Sequence, residues 1–141
     1  MKKYEKKYKG KIFKGAGVIL YNKEEILMQK IKGQNFWEDF GGRTDEEDRD
    51  IITTGFREAK EESNGILKPS YLKSLIEKNP DKKKYLLQDN GYFIVMIYVS
   101  RKEKKKLTST IFGDYEKHDG IERKVEWVNK NVNLHPRIIE I

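Results

Sequence analysis

Between Gly41 and Gly65 the chain reads GGRTDEEDRDIITTGFREAKEESNG, and its centre, Arg57-Glu58-Ala59-Lys60-Glu61-Glu62, constrains the fold more than any other stretch. On a helix, Glu58, Glu61 and Glu62 fall at i, i+3 and i+4, so their carboxylates share one face. Like charges that close repel one another unless a cation sits among them. Ile52, Phe56 and Ala59 fall on the opposite face and give the helix an apolar side to bury. The Gly41-Gly42 turn and the acidic loop after it let backbone approach the same spot closely. Hard oxygen donors, gathered but not closed into a full protein cage, suit Mg²⁺ shared with a substrate phosphate.

This run resembles the signature box of the Nudix hydrolases: a glycine, five residues, an acid, seven residues, Arg-Glu, an apolar residue, any residue, Glu-Glu, any residue, glycine. Gly42 fills the first glycine, and Arg57, Glu58, Ala59, Glu61 and Glu62 match the second half. Asp48 stands where the family usually has Glu, and eight residues rather than seven separate it from Arg57. Asn64 holds the final glycine slot with Gly65 after it, and Asn is the next-best residue for a left-handed helix end. Phe40 stands where many members carry Pro before the glycine pair.

The resemblance implies an α/β fold, a Nudix-like α/β/α sandwich with a mixed sheet, and a single domain over residues 1–141. It also implies Glu61 and Glu62 as principal Mg²⁺ ligands (Mn²⁺ as a substitute), Glu58 as ligand or general base, and the Gly42 carbonyl as an extra ligand. Arg57 then orients a box glutamate by salt bridge. Many relatives recruit a further acid from outside the box, and Glu122, five residues before Trp127, is the first candidate here, with Asp119 and Glu116 behind it. Lys30, on the second strand, Trp37 and Arg43 are the candidate substrate contacts, with Phe13 and Tyr92 as further stacking aromatics. His118 and His135 are isolated and show no metal-ligand spacing; His118 reads as an exposed loop residue.

Composition narrows the setting. With 141 residues, the chain is long enough for one domain with its own core. No run approaches the roughly eighteen apolar residues of a membrane span, and Met-Lys-Lys-Tyr-Glu-Lys-Lys-Tyr is no secretory leader. The absence of cysteine excludes disulfides and thiol catalysis, and is compatible with a cytoplasmic home. A net charge of +7 around an acidic helix favours a nucleotide or other polyphosphate partner, with capped RNA as the extreme case. The cations are overwhelmingly Lys, a bias that an A+T-rich coding sequence produces without selection for binding.

Along the chain, residues 1–14 read as a Lys-rich mobile arm or edge strand. Gly15–Tyr21 and Glu25–Ile31 read as an antiparallel pair, and Tyr85–Leu87 with Tyr92–Ser100 as a hairpin turned at Asn90-Gly91. The box helix begins near Asp50 or Ile51 and ends at Asn64-Gly65. Residues 66–80 fit strand or helix. The Leu107–Phe112 patch docks locally, Lys124–Asn129 is a short strand, and Leu134–Ile141 a short terminal helix. The expected activity is Mg²⁺-dependent hydrolysis of a phosphoanhydride in a nucleoside diphosphate linked to another group. The alternatives are messenger RNA cap hydrolysis and a catalytically silent binding module.

Overall fold

Two apolar runs, Gly15–Asn22 and Tyr92–Tyr98, set the architecture, because a strand apolar on both faces belongs inside a sheet covered on both sides. The computed structural model describes residues 4–141 and pairs these runs in parallel, from Gly15↔Tyr92 to Tyr21↔Tyr98. In chain order the strands are β1 (Lys6–Tyr8), β2 (Lys11–Phe13), β3 (Gly15–Asn22), β4 (Glu25–Ile31), β5 (Phe40–Arg43), β6 (Lys84–Leu87), β7 (Tyr92–Tyr98), β8 (Tyr115–Glu116) and β9 (Ile121–Asn129). The helices are α1 (Ile51–Glu62), α2 (Pro69–Lys78), α3 (Arg101–Lys106) and α4 (Ser109–Phe112). The main sheet runs β6-β7-β3-β4-β9-β8 with β5 attached to β3. The expected mixed sheet with helices is the fold observed.

Strand β3 forks this sheet. Its first half pairs with β5, and its end pairs with β4 at Tyr21↔Ile26 and Asn22↔Glu25. Gly17 faces Gly41 across the fork, where a Cβ on Gly17 would overlap the Asp39 carboxylate and one on Gly41 the Tyr92 hydroxyl. Only glycine lets these backbones close. The tight fork lays β5 against α1, which is how the Gly pair reaches the acidic helix.

Side-chain alternation splits the core in two. Val18, Leu20, Leu27, Phe93, Val95 and Val125 pack with the buried residues of α1 and α2. Ile19, Ile26, Met28, Ile94 and Met96 form the second core, with Leu134 and Ile138 of the C-terminal segment. In α1, Ile51, Phe56 and Ala59 are buried, the two larger side chains each stabilising the helix by roughly 1.5–3 kcal/mol. The Asp50 side chain caps it, accepting from the Thr53 N–H at 2.8 Å.

Several local expectations change. Leu134–Ile141 forms no helix: Leu134 bridges Trp37 and the rest runs as turn and coil. Side chains take its backbone groups instead, with Gln88 Oε1 accepting from the Ile139 and Glu140 N–H groups and Asn90 donating to the Arg137 carbonyl. The basic arm is a hairpin of β1 and β2, turned where Lys9 and Gly10 both take left-handed φ, at 46° and 82°. Its first three residues lie outside those described. The ambiguous 66–80 stretch contains α2, started by Pro69. Leu107 and Phe112 are buried, as the docking patch required. Among the described residues no helix is long and apolar enough to cross a membrane.

Candidate active site

Helix α1 carries Glu58, Glu61 and Glu62 on the side that meets β5. Glu62 is the most deeply set. Its Oε1 accepts from the Gly41 N–H at 2.8 Å and from Gln29 Nε2 at 3.0 Å. Both bonds fall on one oxygen, which leaves Oε2 without a donor among the described residues. Burial pushes this carboxyl up to about 9; Arg137 and the Gly41 N–H pull against the rise, while Asp39 and Glu58 add to it. Glu58 lies against the Gly42 backbone, where an added Cβ would come within 2.6 Å of its carboxylate. Burial raises Glu58 too, over the opposing pull of Arg57, with Glu61 and Asp119 contributing to the rise.

Arg57 organises the rest. Its Nε and Nη2 donate to Asp48 at 2.8 and 3.1 Å, a bidentate pair. Its Nη1 donates to Glu58 at 2.9 Å and to Glu61 at 3.3 Å, and Nη2 also reaches the Arg43 carbonyl at 2.9 Å. Asp48 is buried and accepts in addition from the Asp45 N–H and the Thr54 hydroxyl, at 2.8 and 2.7 Å. Its burial would raise the carboxyl, but the hydrogen bonds from Arg57, Thr54 and Asp45 hold it below its usual range. The extra residue between Asp48 and Arg57 therefore does not part them: the loop turns at Asp45–Asp48, through the Asp48 N–H to Asp45 carbonyl bond at 3.0 Å, and absorbs it.

The far end of α1 is also tied down. Asn64 takes a left-handed φ of 56° and uses its side chain fully. Its amide donates to the Phe112 and Tyr115 carbonyls and its oxygen accepts from the Lys117 N–H at 2.9 Å. Asn thus supplies what glycine would not, a clamp on the loop before β9. Arg123 adds a second clamp, donating to the Glu62 and Phe112 carbonyls at 3.1 and 3.3 Å.

Glu58, Glu61, Glu62, Arg57 and Gly42 are brought together, and Arg43 joins through its carbonyl. Lys30 and Glu122 go elsewhere, lining a hollow of about 620 Å³ with Lys32 and Lys124. The cause is strand alternation: Gln29 and Arg123 face the helix, so Lys30 and Glu122 face away. Glu122 pairs with Lys32 at 3.1 Å, and the acid from outside the box that bears on Glu58 is Asp119. Trp37 lies beneath two cations, Lys30 and Lys124, at 6.0 and 5.4 Å from its ring. Tyr92 is buried with its hydroxyl donating to Asp39, and Phe13 is buried in the core.

A hollow of about 890 Å³ meets the box only at Gly42 and Arg43, and none of the three glutamates lines it. Lys14, Arg43 and Arg137 line it on its cationic side, with Asp45 and Glu46 opposing them. Arg137 was not singled out by any motif. It donates through Nε to the buried Asp39 at 2.9 Å and lies over the Tyr92 ring, 5.0 Å from its centroid.

A divalent cation fits the donors present. They are hard oxygens, two of them unused carboxylate positions in a buried setting, held beside a backbone cradle that a Cβ at Gly42 would fill. Glu61 and Glu62 are the groups that would hold it, with Glu58 beside them as ligand or base. The expected Gly42 carbonyl is turned away, because alternate backbone groups of β5 face opposite ways. With the Gly41 N–H and Arg43 carbonyl toward α1, the Gly42 carbonyl faces β3.

No family model matches this chain, and no curated protein matches it. Among solved structures, it is similar to the crystal structure of a C. elegans Ap4A hydrolase binary complex, with a TM-score of 0.45 and 18 % identity. That likeness covers 82 % of this chain and 80 % of the other. At this level of likeness, the site's own residues carry the functional reading.

Proposed function

We propose that residues 1–141 form one Nudix hydrolase domain that splits a phosphoanhydride in a nucleoside diphosphate linked to another group, using Mg²⁺. The observation that carries this reading is the assembly at the end of α1. Three glutamates share a face, Arg57 bridges two of them to the buried Asp48, and the Gly42 backbone presses on Glu58. A surface helix rich in acid has no reason to bury a carboxylate as deeply as Glu62 or to spend four arginine hydrogen bonds on Asp48, Glu58 and Glu61.

Phosphoanhydride hydrolysis needs an in-line water and compensation for charge on the phosphoryl oxygens. Glu61 and Glu62 would hold Mg²⁺, which when bound would supply that compensation and make a water easier to deprotonate. Glu58 takes the water's proton on Oε2, the oxygen not committed to Arg57; burial raises its pKa and so makes it a better proton acceptor than an exposed carboxylate. Arg57 fixes the rotamers of Glu58 and Glu61 and touches no substrate. The cationic hollow beside Gly42 is where the substrate's remaining phosphates lie.

The test is a screen of nucleoside triphosphates, dinucleoside polyphosphates, nucleotide sugars and capped RNA with Mg²⁺, measuring phosphate or nucleotide release. Glu62→Gln is expected to cut turnover by orders of magnitude with the fold intact. Glu58→Gln is expected to lose turnover at unchanged metal affinity. No Mg²⁺-dependent release from any substrate would overturn the reading in favour of a silent binding module.

A further inference from the structure

The turn between β8 and β9, Glu116-Lys117-His118-Asp119, brings three metal-ligating side chains together, with one donor atom of each lying within 4.8 Å of the others. The sequence offers Asp119 and Glu116 as candidate acids behind Glu122, but not their meeting with His118. The turn is braced by Asn64, which accepts from the Lys117 N–H at 2.9 Å. Glu116 is only 3 % exposed. Its Oε2 accepts from the Asp119 N–H at 2.9 Å, while its Oε1 is buried with no hydrogen-bond partner. Arg123, whose Nε is also buried without a partner, offsets part of that carboxylate's charge, but a carboxylate oxygen kept from water without a hydrogen bond is costly and native structures leave few of them.

The imidazole completes the set. His118 Nδ1 lies 3.2 Å from Asp119 Oδ1, and its Nε2 lies 3.7 Å from Glu61 Oε1. One ring nitrogen thus faces the loop acids and the other a box glutamate, the latter at ion-pair rather than hydrogen-bond distance. A donor set of one nitrogen and two carboxylates differs in kind from the all-oxygen box. Nitrogen ligation selects zinc and related transition metals over Mg²⁺.

We propose that Glu116, His118 and Asp119 form a second divalent-metal site, of mixed nitrogen and oxygen donors, which binds a transition metal such as zinc next to the oxygen-only box. His118 Nδ1, Asp119 and Glu116 are the ligands, and Glu61 is shared electrostatically between the two sites through His118 Nε2. This site does not depend on the hydrolase reading, because the binding of metal alone reports it.

The test titrates the metal-free full chain with Zn²⁺, following imidazole nitrogen resonances by NMR and heat by calorimetry. The His118 ring is expected to shift to saturation with one equivalent while His135 stays unmoved. His118→Gln should weaken the tight Zn²⁺ site by about tenfold or more, with Mg²⁺ uptake unchanged. Asp119→Asn should weaken it in the same direction. Glu62→Gln should abolish hydrolysis yet leave the His118 shift in place, which separates this site from the catalytic reading. An unmoved His118 ring, or a His118→Gln protein that binds Zn²⁺ as tightly as the wild type, would overturn the proposal.

Discussion

Two arginines flank the Gly41-Gly42 strand, and they hold their acids in different ways. Arg57 is local: all of its carboxylate partners lie within nine residues, on the same helix or the loop before it. Arg137 is remote, reaching Asp39 across 98 residues from a turn in the C-terminal segment. Arg57 keeps one side toward solvent and shares its charge among three carboxylates. Arg137 spends its charge on a fully buried Asp39 whose other oxygen takes the Tyr92 hydroxyl at 2.5 Å. The difference teaches that the first cluster stays open on one side, whereas the second is closed around Asp39 and abuts the Gly pair.

Breaking the closed cluster should have the largest effect on stability. Arg137→Met leaves Asp39 buried and unpaired, and should cost about 3–5 kcal/mol in urea unfolding. Asp39→Asn in the same background should recover part of that loss, because no bare charge then stays inside. If the single variant costs no more than a surface exchange, Arg137 is not what pins the tail.

Breaking the open cluster should cost less. Asp48→Asn weakens the bidentate pair but keeps the shape and the Thr54 bond, and should lower stability by roughly 2 kcal/mol. Its effect on turnover should exceed its effect on stability, since Arg57 loses the anchor from which it sets Glu58 and Glu61. Equal stability losses in both clusters would erase the contrast drawn between them.

The smallest effect is a pH dependence. The folded protein holds Asp48 below its ordinary value of 3.8. A carboxylate lowered on folding contributes stability that is fully present above the unfolded pKa and vanishes as pH falls through the folded one. The stability gap between wild type and Asp48→Asn should therefore be widest above about pH 5 and close on acidification below 3.8. Melting curves of the two proteins between neutral and acid pH measure it, and a gap that widens in acid would contradict the assigned direction.

The strands of the central sheet were legible because an unbroken apolar run has one stable placement. The box helix was legible because its caps, its apolar stripe and its acids repeat at helical spacing. The tail forms no helix: Leu134–Ile141 has apolar residues at helical intervals, yet Gln88 and Asn90 supply the hydrogen bonds that hold it as turn and coil. Lys30 and Glu122 were chosen by position along the chain, where neighbouring residues on a strand look alike. Their neighbours Gln29 and Arg123 reach the box because pleating sends alternate side chains to opposite faces.

The sequence by itself determined that three carboxylates and an arginine share one helical face behind a glycine pair, because local spacing on a helix leaves no other arrangement. Tertiary structure alone decided which distant groups complete the site: Gln29 on Glu62, Arg137 on Asp39, and the Glu116–Asp119 turn set beside Glu61. Those pairings depend on strand register and on loop closure between residues far apart in the chain, and no short-range pattern encodes either.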